Sequence, residues 1–341
     1  MENQYVIFFF SACFLLHLLS GIPGVEAGSS DHPGHHGVNG FHPEKLFVFG
    51  DSYVDTGNSD KSTASSWEVP YGITSPGKPN GPKYLGLKSP LPYVLRKNAP
   101  KLASYGMNFA FGGTGVFDTL VPAPNMTTQI DFLQNLVKEF VYTEMDLESS
   151  LSLVSVAGND YFTYLAEGGS NEGLPAFIAL VVKQIAVNLK RIRDIGVGRV
   201  AVGALLPLGC LPGLTAQNSF QHCNGTYNDF VNLHNTLLRQ AVAELNSESN
   251  DSGAFIVLDL YGSFSKVLNH KGSNAKFRNL LSPCCTPTQT FYSCGSVDAG
   301  GEKMYTVCDN PKARFFWDTV HPTQSGWRAV FSGLKSEFET S

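Results

Sequence analysis

Five continuous apolar runs, each broken by glycine or a small polar residue, set the fold class of this 341-residue chain. They are "KLFVFGDS", "YGMNFAFGG", "SSLSLVSVAGND", "GVGRVAVGALLPLGC" and "GAFIVLDLYG". Continuous rather than alternating apolar character marks strands buried on both faces, as in a parallel sheet. Helical patterns separate them. "TTQIDFLQNLVKEFVY" repeats apolar residues every three or four positions, and "LPAFIALVVKQIAVNLKRIRDIG" opens on Pro175 and stops at Gly196. "TYNDFVNLHNTLLRQAVAELNSE" sets Phe230, Leu233, Leu237 and Leu238 on one face, and "TQSGWRAVFSGLKSEF" closes the chain. This alternation predicts a doubly wound α/β sandwich with a five-stranded sheet and helices on both faces. No internal repeat or boundary interrupts residues 44–341, so one domain is expected there.

In such sheets ligands bind beyond the carboxyl ends of the strands. Those ends hold the unusual residues: Gly50-Asp51-Ser52, Gly112-Gly113 and Gly158-Asn159-Asp160. Read alone, Ser52 is equally a polar residue capping a turn. As a nucleophile it needs a base, because its hydroxyl is barely ionised at neutral pH. Of the later histidines, His222 sits between two cysteines, His234 lies in mid-helix and His270 ends a short helix. His321 stands three residues after Asp318 in "WDTVHPTQSGW", a spacing that lets a carboxylate orient an imidazole. An oxyanion would need backbone N–H groups without a Cβ in the way and a side-chain amide. Gly113 and Asn159 supply these, with Gly112 as the alternative to Gly113.

The N-terminus reads as an address. "VIFFFSACFLLHLLS" is one apolar run too short to span a bilayer comfortably, and "VEA" at Val25–Ala27 follows the pattern of a signal-peptidase site. "MENQY" lacks the usual positive charge. Residues 1–27 are expected to be a signal peptide and 28–43 a flexible lead-in of Gly, His and Pro. The protein is thus expected to be secreted and extracellular, without stable membrane insertion. Cys210, Cys223, Cys284, Cys285, Cys294 and Cys308 form an even set suited to disulfides. Cys210 with Cys223 is the most local pair, leaving four to staple 284–308. Sequons at Asn125, Asn224 and Asn250 are possible glycosylation sites. The net charge of −5 is mild, and no basic stripe points to nucleic acid. Neither a dinucleotide fingerprint nor a P-loop is present. The histidines of the lead-in read as a solvated tail, so no metal or other cofactor is expected.

"FGDSYVDTGN", "NFAFGG", "AGND" and "DTVH", in this order, resemble the four blocks of the plant GDSL esterase/lipase family of the SGNH hydrolases. The resemblance runs from about Phe47 into the C-terminal helix. It implies a flavodoxin-like α/β/α fold and metal-free hydrolysis of carboxylic esters. It also implies Ser52 as nucleophile, His321 as base and Asp318 as its orienter, with Ser52, Gly113 and Asn159 as oxyanion donors. The partner would be a small-molecule or polymer-bound ester: a lipid, a wall-polymer acetyl group or a phenolic ester. "PYGITSPGKP" resembles a loop of the plant branch. The elbow Gly-x-Ser-x-Gly of ordinary lipases is absent at Ser52. Activity should fall below about pH 6 as His321 protonates.

Three positions depart from the pattern. Tyr53 stands where the family has Leu, and Ala157 where it usually has Gly, at a turn that favours positive φ. After Gly81 the chain passes through "PKY" to Leu85, roughly a dozen residues short, which removes a helix expected to cover one face of the first strands. This shortening motivates a second reading: a secreted, catalytically inactive binding or scaffold protein on the same fold.

Overall fold

A computed structural model of the chain describes residues 41–59, 69–71, 90–249, 251–269, 276–289 and 292–340. All five expected strands form: β1 (Lys45–Gly50), β3 (Gly106–Asn108), β4 (Ser150–Ser155), β5 (Arg199–Gly203) and β6 (Phe255–Leu258). A sixth, β2 (Leu91–Pro92), is only two residues long and was not foreseen. Its Pro92 suits an edge, where no partner requires an N–H. The sheet is wholly parallel, in the order β2-β3-β1-β4-β5-β6. Without its edge strand this is the flavodoxin order, whose direction of winding reverses between β1 and β4. Those two strands pair along their full length, from Lys45 with Ser150 to Gly50 with Ser155. All but Lys45 of these residues are buried, as continuous apolar runs require.

The helices are α1 (Met126–Lys138), α2 (Glu144–Glu148), α3 (Gly158–Ala166), α4 (Leu174–Asp194), α5 (Pro212–Thr215), α6 (Gly225–Ser249), α7 (Leu260–Asn269) and α8 (Gln324–Thr340). α1 buries Met126, Gln129, Ile130, Leu133 and Leu136, one stripe at helical spacing. α6 buries Val231, His234, Asn235, Leu238, Val242 and Leu245, and the rest of the expected face, Phe230, Leu233 and Leu237, packs part-buried against the same core. Two polar side chains share that buried face. Asn235 bonds both the N–H and the C=O of Leu205, and His234 Nδ1 meets the Tyr161 hydroxyl at 2.6 Å. Phe264 of α7 and Trp327 of α8 meet edge to face, with Phe315 against Phe264.

A small antiparallel sheet, β7 (Cys285–Pro287) with β8 (Tyr305–Val307), precedes α8. Cys210 bonds Cys223 as expected, and the remaining four pair as Cys284–Cys308 and Cys285–Cys294. Cys284, Cys285, Cys294, Tyr305 and Trp317 form a second apolar cluster, separate from the main core. Phe41, within the expected lead-in, already lies under the Arg199 guanidinium at 5.4 Å. Asn125 caps α1 by accepting from Thr128 N–H, and Asn224 accepts from Tyr227 N–H at the start of α6. Asn250, the signal segment, His270 and the shortened stretch after Gly81 lie outside the described residues. No helix among the described residues is long and apolar enough to cross a membrane.

Candidate active site

β1 ends in a turn that only glycine can begin. Gly50 has φ +141°, and a Cβ there would overlap the carbonyl oxygen of Ser155 on β4. Buried Gln129 of α1 holds both sides of this residue: Gly50 N–H donates to its Oε1 at 2.8 Å, and its Nε2 donates to Gly50 O at 2.9 Å. The chain then coils at once, with Val54 and Asp55 N–H donating to Asp51 O and Tyr53 N–H to Asp51 Oδ1. Ser52 is thus carried at the tip, half exposed, in the first turn beyond the strand.

The residues after Ser52 brace the next loop. Asp55 Oδ1 accepts from Gly57 and Asn58 N–H, while its Oδ2 accepts from Ser59 and Gly112 N–H. Asn58 donates to Asn108 O and Ala110 O, and Asn108 donates back to Val54 O and Thr56 Oγ1. This ties "VDTGN" to "NFAFGG". It also separates two glycines that the sequence leaves equivalent. The Gly112 N–H is taken by Asp55 and Ser59, whereas Gly113, at φ +79°, has no acceptor among the described residues.

Asn159 lies in the first turn of α3, not in the loop that its sequence suggests. Its Nδ2 donates to Thr114 O at 2.8 Å, which joins it to the glycine turn. The neighbouring Asp160 is buried and accepts from Val116 and Phe117 N–H. Ala157 caps α3 at φ +99°, so the position does need positive φ and Ala accepts the strain. The structure therefore brings Ser52, Gly113 and Asn159 to one edge of the sheet, at the winding reversal.

His321 reaches the same place from the far end of the chain. Its Nε2 lies 2.8 Å from Ser52 Oγ, and its Nδ1 lies 2.9 Å from Asp318 Oδ2. Asp318 Oδ1 also accepts from Val320 N–H and His321 N–H. Trp317 N–H donates to His321 O and closes the loop, while Cys284 and Cys285 N–H donate to Phe316 O and Trp317 O. Tyr53 departs from the family's Leu to some purpose: its hydroxyl donates to Val320 O at 2.9 Å and its ring meets His321 edge to face. His234 is a core residue whose burial pushes its pKa down to about 3, so it stays neutral. His222 is exposed in the Cys210–Cys223 loop.

The electrostatics follow from burial. Burial works to lower the His321 pKa, but the Asp318 charge and hydrogen bond, helped by Asp51, outweigh it and hold the imidazole above its ordinary 6.5. Burial works to raise Asp318, and the imidazole with two N–H donors brings it below the usual 3.8. Asp51 lacks such compensation: burial pushes it up to about 7 against the Tyr53 N–H bond and the pull of His321. Asp160 likewise rises to about 6 through burial. Sequence reasoning passed over Asp51, Gln129 and Tyr71, whose hydroxyl donates to Asp318 Oδ2 at 2.9 Å.

One family, described as GDSL-like lipase/acylhydrolase, matches residues 46–334. The chain is 50% identical to "GDSL esterase/lipase At5g03610" of Arabidopsis thaliana over 360 aligned positions, covering 100% of this chain and 99% of that one. It is 49% identical to "GDSL esterase/lipase At3g09930" of the same plant over 339 positions, covering 94% and 95%. The first alignment runs over more positions than the 341 residues of this chain, so the relative carries residues without a counterpart here.

Proposed function

Because the chain belongs to the GDSL lipase/acylhydrolase family and is a carboxylic ester hydrolase, we propose that it acts through a Ser52–His321–Asp318 triad and an acyl-enzyme. The observation that carries this reading is the continuous chain from Ser52 Oγ through both ring nitrogens of His321 to Asp318. Ser52 Oγ attacks the ester carbonyl carbon while His321 Nε2 takes its proton. Asp318 stabilises the imidazolium that forms. The carbonyl oxygen, now negative, sits among Ser52 N–H, Gly113 N–H and the free proton of the Asn159 amide. Collapse of this intermediate expels the alcohol, which leaves with the proton from Nε2. Water then attacks the acyl-enzyme by the same route and releases the acid. The carboxylates Asp51, Asp160 and Asp318 are buried beneath half-exposed reacting groups. Only the reacting atoms face the substrate.

We infer secretion from the apolar N-terminal run and from three disulfides, which persist in oxidising compartments. A fluorophosphonate probe tests the nucleophile. Wild type is expected to be labelled at Ser52 and Ser52→Ala to be blank; labelling that survives the substitution refutes the assignment. Turnover of p-nitrophenyl butyrate by folded protein also removes the reading of an inert scaffold.

The pH dependence has a defined sign. Catalysis needs neutral His321, and its pKa is raised above the ordinary 6.5, so the acid limb of kcat/KM lies higher than the pH 6 expected from the sequence. The Asp51 charge contributes to this rise. Asp51→Asn is expected to move the limb down by about half a unit, which a pH–rate profile would reveal.

A further inference from the structure

Asp318 is 4% exposed, and its own loop already gives its carboxylate two backbone donors and the imidazole. A further donor arrives from a remote part of the chain. The Tyr71 hydroxyl lies 2.9 Å from Oδ2, the oxygen nearest His321 Nδ1. Val69, Pro70 and Tyr71 are docked on the disulfide-tied cluster. Tyr305 donates to Val69 O, Gly295 packs against Pro70 and Tyr71, and the Tyr71 ring meets Trp317 at 6.2 Å. The phenol is therefore held from both sides: its ring by the residue before Asp318, its hydroxyl by Asp318 itself.

We propose that Tyr71 is a positioning residue of this site, which fixes the Asp318 carboxylate toward His321 and limits how tightly the imidazole holds its proton. The assignment rests on the triad reading above. A carboxylate oxygen shared between two donors gives less of its charge to either. When the phenol is removed, Oδ2 bonds more strongly to the imidazolium and the carboxylate also gains freedom to turn. Burial and the Asp318 charge keep the phenol protonated, so it is a donor throughout the neutral range. The other groups acting on the imidazole come from separate elements. Asp51, with Asp160 behind it, lies at the end of β1, and the Tyr53 hydroxyl is committed to Val320 O. The nearby ring from α8 is the uncharged Trp327, which stacks edge-on against Tyr53. None of these changes in Tyr71→Phe, which also keeps the ring on Trp317.

The test is the pH profile of Tyr71→Phe with p-nitrophenyl butyrate, alone and combined with Asp318→Asn. The expected result is a roughly tenfold lower kcat, KM within about twofold, and an acid limb about half a unit higher. In the Asp318→Asn background the limb should no longer respond to Tyr71→Phe. A wild-type profile in Tyr71→Phe, or a fall in kcat with an unmoved limb, overturns the assignment. Ser52→Ala, assayed beside it, keeps the two readings apart. If Ser52→Ala is dead while Tyr71→Phe equals wild type, only the Tyr71 proposal fails. If Ser52→Ala turns over at a rate near that of wild type, the triad itself is refuted.

Discussion

His321→Ala is expected to lower kcat by about six orders of magnitude, and Ser52→Ala to lower it by as much. The double variant should be hardly worse than either single one, because the serine without its base and the base without its serine are equally idle. Non-additivity is the informative readout. The 2.8 Å contact between Ser52 Oγ and His321 Nε2 makes the two side chains one working unit. Losses that multiply instead would show that each acts alone. Some activity over water should survive in all three variants, since the proposed oxyanion donors, Gly113 N–H and Asn159, remain.

Gly50→Ala is expected to prevent folding. The new methyl would overlap the carbonyl of Ser155 at the carboxyl end of the β1–β4 pairing, at a φ that side chains rarely adopt. The two strands must part, and Gln129 loses its grip on both backbone groups of residue 50. Such combined damage exceeds about 5 kcal/mol, comparable to the whole stability of many domains. Gly301→Ala is the control. It also has positive φ, +82°, but nothing lies within 4 Å of the new Cβ, so it should cost only about 1 kcal/mol. Soluble yield and urea unfolding would separate the two, and a Gly50→Ala protein that melts like wild type contradicts this account.

The sheet was legible because burial on both faces leaves an unmistakable mark, as in "LFVFG". Leu91–Pro92 left no such mark: two edge residues have no period. The blocks around Ser52, Gly113, Asn159 and His321 were legible as motifs, but the contacts that distinguish the two adjacent glycines were not. Gly112 and Gly113 are told apart by Asp55 and Ser59, which take the N–H of the first and leave that of the second. The apolar face of α6 was legible, but the burial of Asn235 and His234 was not, because only their partners Leu205 and Tyr161 make these polar residues part of the core. Gln129 and Tyr71 act on groups 79 and 247 residues away. A single sequence holds no local signal for either contact.

The proposed nucleophile and base are 269 residues apart in the chain, one at the start of the sheet and the other beyond its last strand. A growing polypeptide, extended at roughly 5–20 residues per second, therefore exposes Ser52 long before His321 exists. All six strands, complete at Leu258, can be assembled around a serine that has no base. The proposed base follows only after the cysteines of 284–308 have been made. Under the proposed mechanism, a nucleophile folded early stays without its base until residue 321 has been added.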